Sequence, residues 1–416
     1  MPDQEIDTPK GYAQGGTRST RFNAMMFASL YIVQGIGLAY FRNFQKPYLD
    51  KVGIDPDRIG LLTLILQLPF VLKVFVGMVS DRVNLFGRGH RKPYIIIGLL
   101  LAALTFTSAG LVHPQTHLVV FSLFVVLGSF SVTIFDSTAD GLAIDITPRH
   151  EAGKIQGVMV GGRAASFILL SLAFGRLVER VGYSVVFPVI GAAMLLPLVF
   201  VGQLREPPRR QVTQRFHWHA FHALGQPKFL QFALYAVIYS IGSFGIDGLV
   251  TYALSEAFGA SEPVIGSYGA FRGVGAVIGA IVGGILLDRW GRRPGAIGAS
   301  ALISIIGLLF SLISKPSAIV WIGLLWGIVW AFQETVFFAL AMDLADPRIA
   351  ASMFAIMMGI SNLGAAVGDG AATALSDNLS FPGVFASLAI INLLSMPVLV
   401  LLFRTNPDLE LSTPPT

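Results

Sequence analysis

The chain has 416 residues, of which 54% are hydrophobic and only 13% are charged, whereas a soluble domain carries about 25% charged residues. This composition argues against a soluble enzyme and a disordered chain, and it favours a protein that faces lipid. The absence of cysteine excludes disulfides, thiolate catalysis and cysteine-based metal sites. The net charge of +5 comes from basic residues scattered between apolar runs, so we expect no nucleic-acid partner.

Apolar runs dominate the chain after a polar N-terminal segment that has no early apolar stretch and therefore does not resemble a signal peptide. Each run is long enough to cross a hydrocarbon core of about 30 Å as a helix. The runs are continuous rather than alternating, which indicates helices and not barrel strands. The twelve predicted spans are 22–44, 58–80, 93–112, 117–146, 152–178, 183–203, 229–256, 264–287, 294–314, 317–344, 350–375 and 381–403.

The distribution of Lys and Arg predicts the orientation of these spans. With both termini in the cytosol, nineteen Lys and Arg residues lie on the cytosolic side, seven lie outside and three lie within spans. Because cytoplasmic loops carry the excess of positive charge, we predict a multi-pass protein of the cytoplasmic (inner) membrane with both termini cytosolic.

An internal repeat divides the chain into halves. The segment Leu142–Asp145 (LAID) matches Leu340–Asp343 (LAMD) at an offset of 198, and the same offset places Asp136 opposite Glu334. Two six-helix halves of the same direction imply a pseudo-two-fold axis along the membrane normal, with a cavity between the halves. The predicted organisation is a cytosolic tail over 1–21, a six-helix bundle over 22–204, a central cytosolic loop over 205–228, a second bundle over 229–404 and a cytosolic tail over 405–416.

A charged motif occurs at equivalent loops of the two halves. The first copy runs from Gly77 through Asp81 and Arg82 to Pro93, and the second reads GILLDRWGRRP from Gly284 to Pro294. An acidic residue at a helix end beside several arginines suits a gate at the cytosolic face, and simple positive-inside anchoring is the alternative. The predicted cytosolic gate comprises Asp81, Arg82, Asp145, Asp288, Arg289, Arg292 and Asp343.

The repeated G-x-x-x-D-R-x-G-R-R-P pattern resembles the signature of the major facilitator superfamily. The resemblance implies an all-α membrane protein with twelve transmembrane helices in two pseudo-symmetric six-helix bundles. A narrower resemblance rests on Gln34-Gly35, Lys73, the segment Phe135–Asp140 and Arg163, which are similar to the AmpG-type muropeptide permeases and to the folate–biopterin and acetyl-CoA transporters. This branch implies proton-coupled uptake of a bulky, often anionic, metabolite.

Ionisable side chains within spans are costly and often functional. Asp136 and Asp140 are four residues apart and share a helix face, so they are the predicted proton carriers together with Glu334. Lys73 and Arg163 lie near the middle of their spans and suit an anionic group. We expect Arg163 to pair with Asp136 in the empty carrier; a permanent structural ion pair is the alternative.

Further candidates come from the remaining spans. Asp247 and Arg272 lie in the outer part of adjacent spans and are predicted to form an outer gate, with a structural pair as the alternative. Arg42 and Asp369 are weaker candidates. The predicted substrate-binding residues are Gln34, Lys73, Arg163, Trp330, Glu334 and Asn362.

The preferred functional hypothesis is a proton-coupled carrier that imports a small anionic or amphipathic metabolite by alternating access. An exporter or flippase of a drug-like or lipid-linked molecule, and a non-transporting assembly factor on the same fold, are the alternatives. No nucleotide-binding loop or hydrolase motif is present, so we expect no enzymatic activity, no cofactor and the proton gradient as the energy source. His217, His219 and His222 are not expected to bind a metal, and a monomer suffices for this mechanism.

Overall fold

The structure is a computed structural model that describes residues 20–87, 89–148, 151–204, 206, 222, 224–313, 315–345 and 350–409. Within these residues every regular element is a helix. Most of the predicted tails and of the central loop, including His217 and His219, lies outside the described residues.

The first half of the chain contains nine α-helices, several of which are segments of one broken span. They are α1 (Thr20–Asn43), α2 (Gln45–Lys51), α3 (Pro56–Val71), α4 (Lys73–Arg82), α5 (Lys92–Ala109), α6 (Pro114–Ile146), α7 (Ala152–Val181), α8 (Val186–Ala193) and α9 (Leu198–Val201).

The second half contains seven α-helices in a matching order. They are α10 (Pro227–Glu256), α11 (Glu262–Trp290), α12 (Arg292–Ser311), α13 (Pro316–Leu344), α14 (Ala350–Leu375), α15 (Phe381–Leu393) and α16 (Ser395–Thr405). We call α1–α9 the first half and α10–α16 the second half.

Eleven helical segments of the described chain are long and apolar enough to cross a membrane. They coincide with eleven of the twelve predicted spans to within a few residues at each end. The remaining predicted span is α14, a 26-residue helix that packs lengthwise between α3 and α10. The all-α fold class predicted from the apolar runs is therefore confirmed. Among the described helices of the second half, α14 has the most extensive contact with the first half.

The second span is broken at one residue. α3 ends at Val71, two residues after Pro69, whose missing N–H affects the turn before it. Leu72 leaves helical geometry and α4 begins at Lys73. The break therefore sets the position at which the Lys73 side chain leaves the helix. 

The helix bundle has two distinct ends. We call the end with Asp81 and Asp288 the motif end, and the end with the α2 segment the α2 end. At the α2 end the halves are in close contact, because α3 packs against α14 and α7 packs against α11. Gly60 of α3 and Gly370 of α14 make this approach possible, since a Cβ atom on Gly370 would stand 2.8 Å from the Gly60 carbonyl oxygen.

Candidate functional site

A cavity of about 780 Å³ lies between the halves. It extends from Asp369 and Lys46 near the α2 end to Asp81 and Ile144 at the motif end. Since Asp81 is exposed and the α2 end is closed by helix packing, the cavity is accessible from the motif end. Four basic and four acidic side chains line it, namely Arg42, Lys46, Lys73, Arg163, Asp81, Asp136, Asp140 and Asp369.

The middle of the cavity contains one lysine bound by two carboxylates. The Lys73 ammonium donates to Asp136 Oδ2 at 2.5 Å and to Asp140 Oδ2 at 2.7 Å. The other carboxylate oxygens also have donors: Gln34 Nε2 lies 2.6 Å from Asp136 Oδ1, and the Tyr31 hydroxyl donates to Asp140. We call Lys73, Asp136 and Asp140 the lysine triad; with all three groups ionised its net charge is −1.

The four-residue spacing of the two aspartates explains this geometry. Asp136 and Asp140 lie on one face of α6, one helical turn apart, so a single ammonium group can reach both. Lys73 approaches from the first turn of α4, directly after the break at Leu72. About a third of the Lys73 side chain is exposed to the cavity, which leaves the triad accessible to water and solutes.

Arg163 does not pair with Asp136, contrary to the expectation from the sequence. Its guanidinium carbon lies 5.6 Å from the centre of the Tyr31 ring, in a cation–π arrangement, and the side chain lines the cavity. Lys73 takes the place on Asp136 because the break in the second span brings its ammonium group there. In the described part of the chain, no carboxylate lies within ion-pair distance of Arg163.

The α2 end of the cavity is formed by charged residues from both halves. Asp369 of α14 accepts from Lys46 and, at 3.0 Å, from Gln67 Nε2, and it lies 3.6 Å from Arg42 Nη1. Asn362, one of the predicted substrate ligands, donates to the Phe70 carbonyl at 3.2 Å and therefore also bridges α14 and α3. These contacts close the cavity toward the α2 end.

Asp247 and Arg272 form the ion pair that the sequence predicted. Arg272 donates two hydrogen bonds to Asp247, one of them 2.7 Å long, and Trp326 Nε1 donates to the same carboxylate at 2.8 Å. The Trp330 ring covers the guanidinium at 4.6 Å. Both charged residues belong to the second half and are buried, so the pair stabilises one half; its role as an outer gate remains a prediction.

Glu334 is separated from the described cavity. Its carboxylate accepts a hydrogen bond from the Tyr239 hydroxyl at 2.9 Å, and no basic residue lies within ion-pair distance in the described chain. Tyr239 is in turn 3.2 Å from the Ser361 hydroxyl. Trp330 packs edge-on against Phe244. Neither Trp330 nor Glu334 lines the described cavity, and their contact with substrate stays a prediction.

The motif end repeats one arrangement in each half. Arg91 contacts Asp81 at 2.6 Å and Asp145 at 3.0 Å in the first half. At the equivalent position of the second half Arg292 contacts Asp343 at 2.8 Å and Asp288 at 4.0 Å. Each arginine links helices of its own half. Arg82 and Arg289, which the sequence placed in the gate, are exposed at this end.

Sequence analysis missed several residues of the site. Lys46 follows the predicted first span and is not one of the predicted site residues, although α2 packs against α10 and leaves Lys46 6% exposed. Gln67 and Tyr31 carry no charge and lie in apolar runs. They therefore lack the signal, an ionisable side chain within a span, that identified most of the predicted site residues. Arg91 belongs to the motif, and its recurrence as Arg292 before a Pro-containing helix start was the signal that could have identified it.

Family profiles match both halves of the chain. The BT1 family profile matches residues 34–238, and the Major Facilitator Superfamily profile matches residues 232–416. A bacterial homolog of the human lysosomal transporter Spinster, solved in an inward-facing and occupied conformation, superposes with a TM-score of 0.73 at 17% identity over 95% of this chain and 99% of the other. This structural likeness shows that the fold is shared.

Similar sequences extend over most of the chain. The folate-biopterin transporter of Synechocystis sp. is 24% identical over 414 residues, covering 92% of this chain and 82% of the relative. The cis,cis-muconate transport protein of Acinetobacter baylyi is 24% identical over 334 residues, covering 75% and 78%. These findings confirm the resemblance carried by the repeated motif: the first half of the chain is similar to the BT1 family and the second half to the Major Facilitator Superfamily, and the relatives are transporters, which supports a multi-pass membrane transporter and not an enzyme.

Proposed function

We propose that the protein is a proton-coupled carrier that imports a small carboxylate-bearing metabolite across the cytoplasmic membrane. The observation that carries this proposal is the charge arrangement of the cavity, in which Arg163 has no carboxylate partner in the described chain and stands near a lysine triad with one surplus negative charge. A guanidinium binds a carboxylate through two parallel hydrogen bonds, which suits Arg163 to an anionic substrate.

The lysine triad supplies a route for coupling. One proton on Asp136 or Asp140 neutralises the triad, and a neutral group is favoured when the cavity closes and excludes water. Protonation also weakens one of the two bonds that hold Lys73, which makes the ammonium group available to the substrate. Proton binding and anion binding therefore favour one another in this site.

The relatives support a carboxylate substrate. Their names refer to folate and to cis,cis-muconate, and both compounds carry carboxylate groups. The positive-inside distribution of Lys and Arg supports a cytosolic motif end, so the cavity as described opens toward the cytosol. Rocking of the halves about the cavity then exposes the same residues to the outside.

The test is uptake by purified protein in proteoliposomes, with radiolabelled folate and cis,cis-muconate as probes. An inwardly directed proton gradient is expected to drive accumulation of the solute by the wild type, and Asp136→Asn is expected to abolish this proton-driven accumulation. Asp408→Asn, an exposed carboxylate after the last helix, is the matched control and should behave as the wild type. Uptake by Asp136→Asn that keeps the wild-type response to the gradient contradicts the proton assignment; efflux against the gradient contradicts import.

A further inference from the structure

The α2 end of the cavity contains an arrangement that the transport proposal does not use. Three elements of the first half direct a donor toward one carboxylate of the second half: Arg42 from α1, Lys46 from α2 and Gln67 from α3 all face Asp369 of α14. All four residues line the cavity. Asp369 is 4% exposed and Lys46 is 6% exposed, so the contact is formed away from bulk water.

The charges in this cluster do not balance. Two cations share one carboxylate, and the remaining contact of Lys46 shorter than 3 Å is to a neutral group, the Gly248 carbonyl oxygen at 2.9 Å. The neighbouring Asp247 carboxylate is already neutralised by Arg272. The Nη1 atom of Arg42 is buried and makes no hydrogen bond with the described residues, since it stands 3.6 Å from Asp369. The cluster therefore has surplus positive charge and an unused donor, which are the properties of an anion site.

The partition of these residues between the halves gives the cluster a consequence for movement. When the halves separate at the α2 end, Arg42 and Lys46 remain with the first half, while Asp369 leaves with α14. The two cations then lose the one carboxylate that lies within ion-pair distance of them in the described part of the chain. Burying two cations without a counter-charge is strongly unfavourable, so the closed arrangement needs an anion at this site, and Asp369 supplies it.

We propose that Arg42 and Lys46 form a second anion site of the carrier and that Asp369 occupies this site as an internal substitute for the substrate carboxylate. In the closed arrangement at the α2 end, Asp369 fills the site; in the open arrangement, a carboxylate of the solute takes its place. This inference rests on the proposed transport of an anionic solute. It explains how the α2 end stays closed after the solute has left toward the motif end, because Asp369 then pairs with the two cations.

Chemical rescue tests the anion site without the transported solute. Asp369→Ala removes the carboxylate, and acetate has the shape and charge of the missing group. Cysteines introduced at the exposed positions Asp57 of α3 and Asn378 after α14 carry spin labels across the α2 end, and the natural absence of cysteine makes this labelling specific. The measurement is the distance distribution between the labels.

The doubly labelled protein with Asp369 intact is expected to show a short distance. Asp369→Ala should lose most of this population, acetate should restore it, and acetamide, which is neutral and of the same shape, should not. Ser361→Ala is the matched control, because it removes a polar side chain from the same helix, in contact with Tyr239 and Ser240 of its own half, without removing charge; acetate should leave its distances unchanged. Asp369→Asn serves if the alanine variant does not fold, and it should also lose the short distance.

Two results overturn the proposal. In the first, the Asp369 variants keep the short distance, which means that the carboxylate does not hold the α2 end closed. In the second, acetamide restores the short distance as well as acetate, which means that the site recognises shape and not charge. Because neither measurement uses a pH gradient or a transported solute, a failure of proton-driven uptake leaves this result standing, and the reverse also holds.

Discussion

The lysine triad in the first half and the Asp247–Arg272 pair in the second half are both intramembrane ion pairs, but their surroundings differ. The triad has two carboxylates for one cation, and its Lys73 and Asp140 side chains are 33% and 37% exposed to the cavity. The Asp247–Arg272 pair is one-to-one, with 1% and 9% side-chain exposure, and a tryptophan N–H completes its hydrogen bonds.

This difference separates a site that can change its charge from one that cannot. A proton or solute that reaches the triad through the cavity alters its net charge and rearranges its bonds. The Asp247–Arg272 pair is already neutral and is covered by aromatic rings, with the Arg272 guanidinium 4.6 Å from the Trp330 ring centre and 5.8 Å from that of Phe167. An intramembrane charge is therefore best assigned a role from its charge balance and its access to the cavity, and not from its depth alone.

The largest effect on stability is expected from Asp247→Asn. This change leaves the buried Arg272 guanidinium without a counter-charge and should lower the free energy of unfolding by about 3–5 kcal/mol. Asp136→Asn should cost much less, since Lys73 keeps Asp140 and the cavity admits water. Thermal unfolding in detergent compares the two variants. Equal losses of stability would remove the distinction between the two clusters.

A smaller effect, on solute binding, is expected from Arg163→Gln. Loss of a charge-assisted contact with a carboxylate should raise the KM for folate or cis,cis-muconate roughly ten- to a hundred-fold, in line with about 1.5–3 kcal/mol. The melting temperature should stay near that of the wild type, because Arg163 has no ion pair in the described chain. The assay is initial uptake rate against solute concentration. An unchanged KM together with lower stability would place Arg163 among the structural residues.

Two hydroxyl- or N–H-deleting changes sharpen the comparison further. Trp326→Phe removes the N–H donor from buried Asp247 and is expected to lower stability by about 1.5 kcal/mol.

Tyr31→Phe removes the donor to Asp140, where water from the cavity can replace it, so stability should change by less than about 1 kcal/mol while the pH dependence of uptake shifts. Denaturation measures the stability of both variants, and pH–rate profiles measure the pH dependence of their uptake. A pH–rate profile of Tyr31→Phe identical to that of the wild type would contradict a role for Tyr31 in proton coupling.

A pH-dependent effect on stability is expected at Asp50, which lies in α2 outside the spans. Burial and the neighbouring Glu256 carboxylate raise the pKa of Asp50 from 3.8 to about 6. A raised carboxyl pKa means that the folded protein binds the proton more tightly, so Asp50 weakens the fold increasingly as pH rises from about 4 to 6 and fully above that range. Asp50→Asn should therefore raise the melting temperature at about pH 8 and leave it nearly unchanged at about pH 4.5. An equal change at both values would contradict this assignment.

Much of the fold could be predicted because the membrane imposes long apolar helices, and the offset of 198 between Asp145 and Asp343 revealed the repeat. The same repeat anticipated the equivalent contacts of Arg91 and Arg292 only in part, since the sequence does not show which arginine turns toward the aspartates. Pairing inside the spans was harder still. Lys73 reaches Asp136 because the second span breaks at Leu72, and Lys46 becomes buried because α2 packs against α10 of the second half; both depend on backbone geometry that charge spacing does not encode.

Proton movement during solute entry tests the central claim most directly. Proteoliposomes that contain a pH-sensitive dye are given folate or cis,cis-muconate on the outside, with no imposed pH gradient. The account predicts acidification of the lumen that accompanies entry through the wild type, and no acidification with Asp136→Asn, although labelled solute still exchanges. Entry of solute through the wild type without any change in lumenal pH would contradict the assignment of the lysine triad as the proton-coupling group.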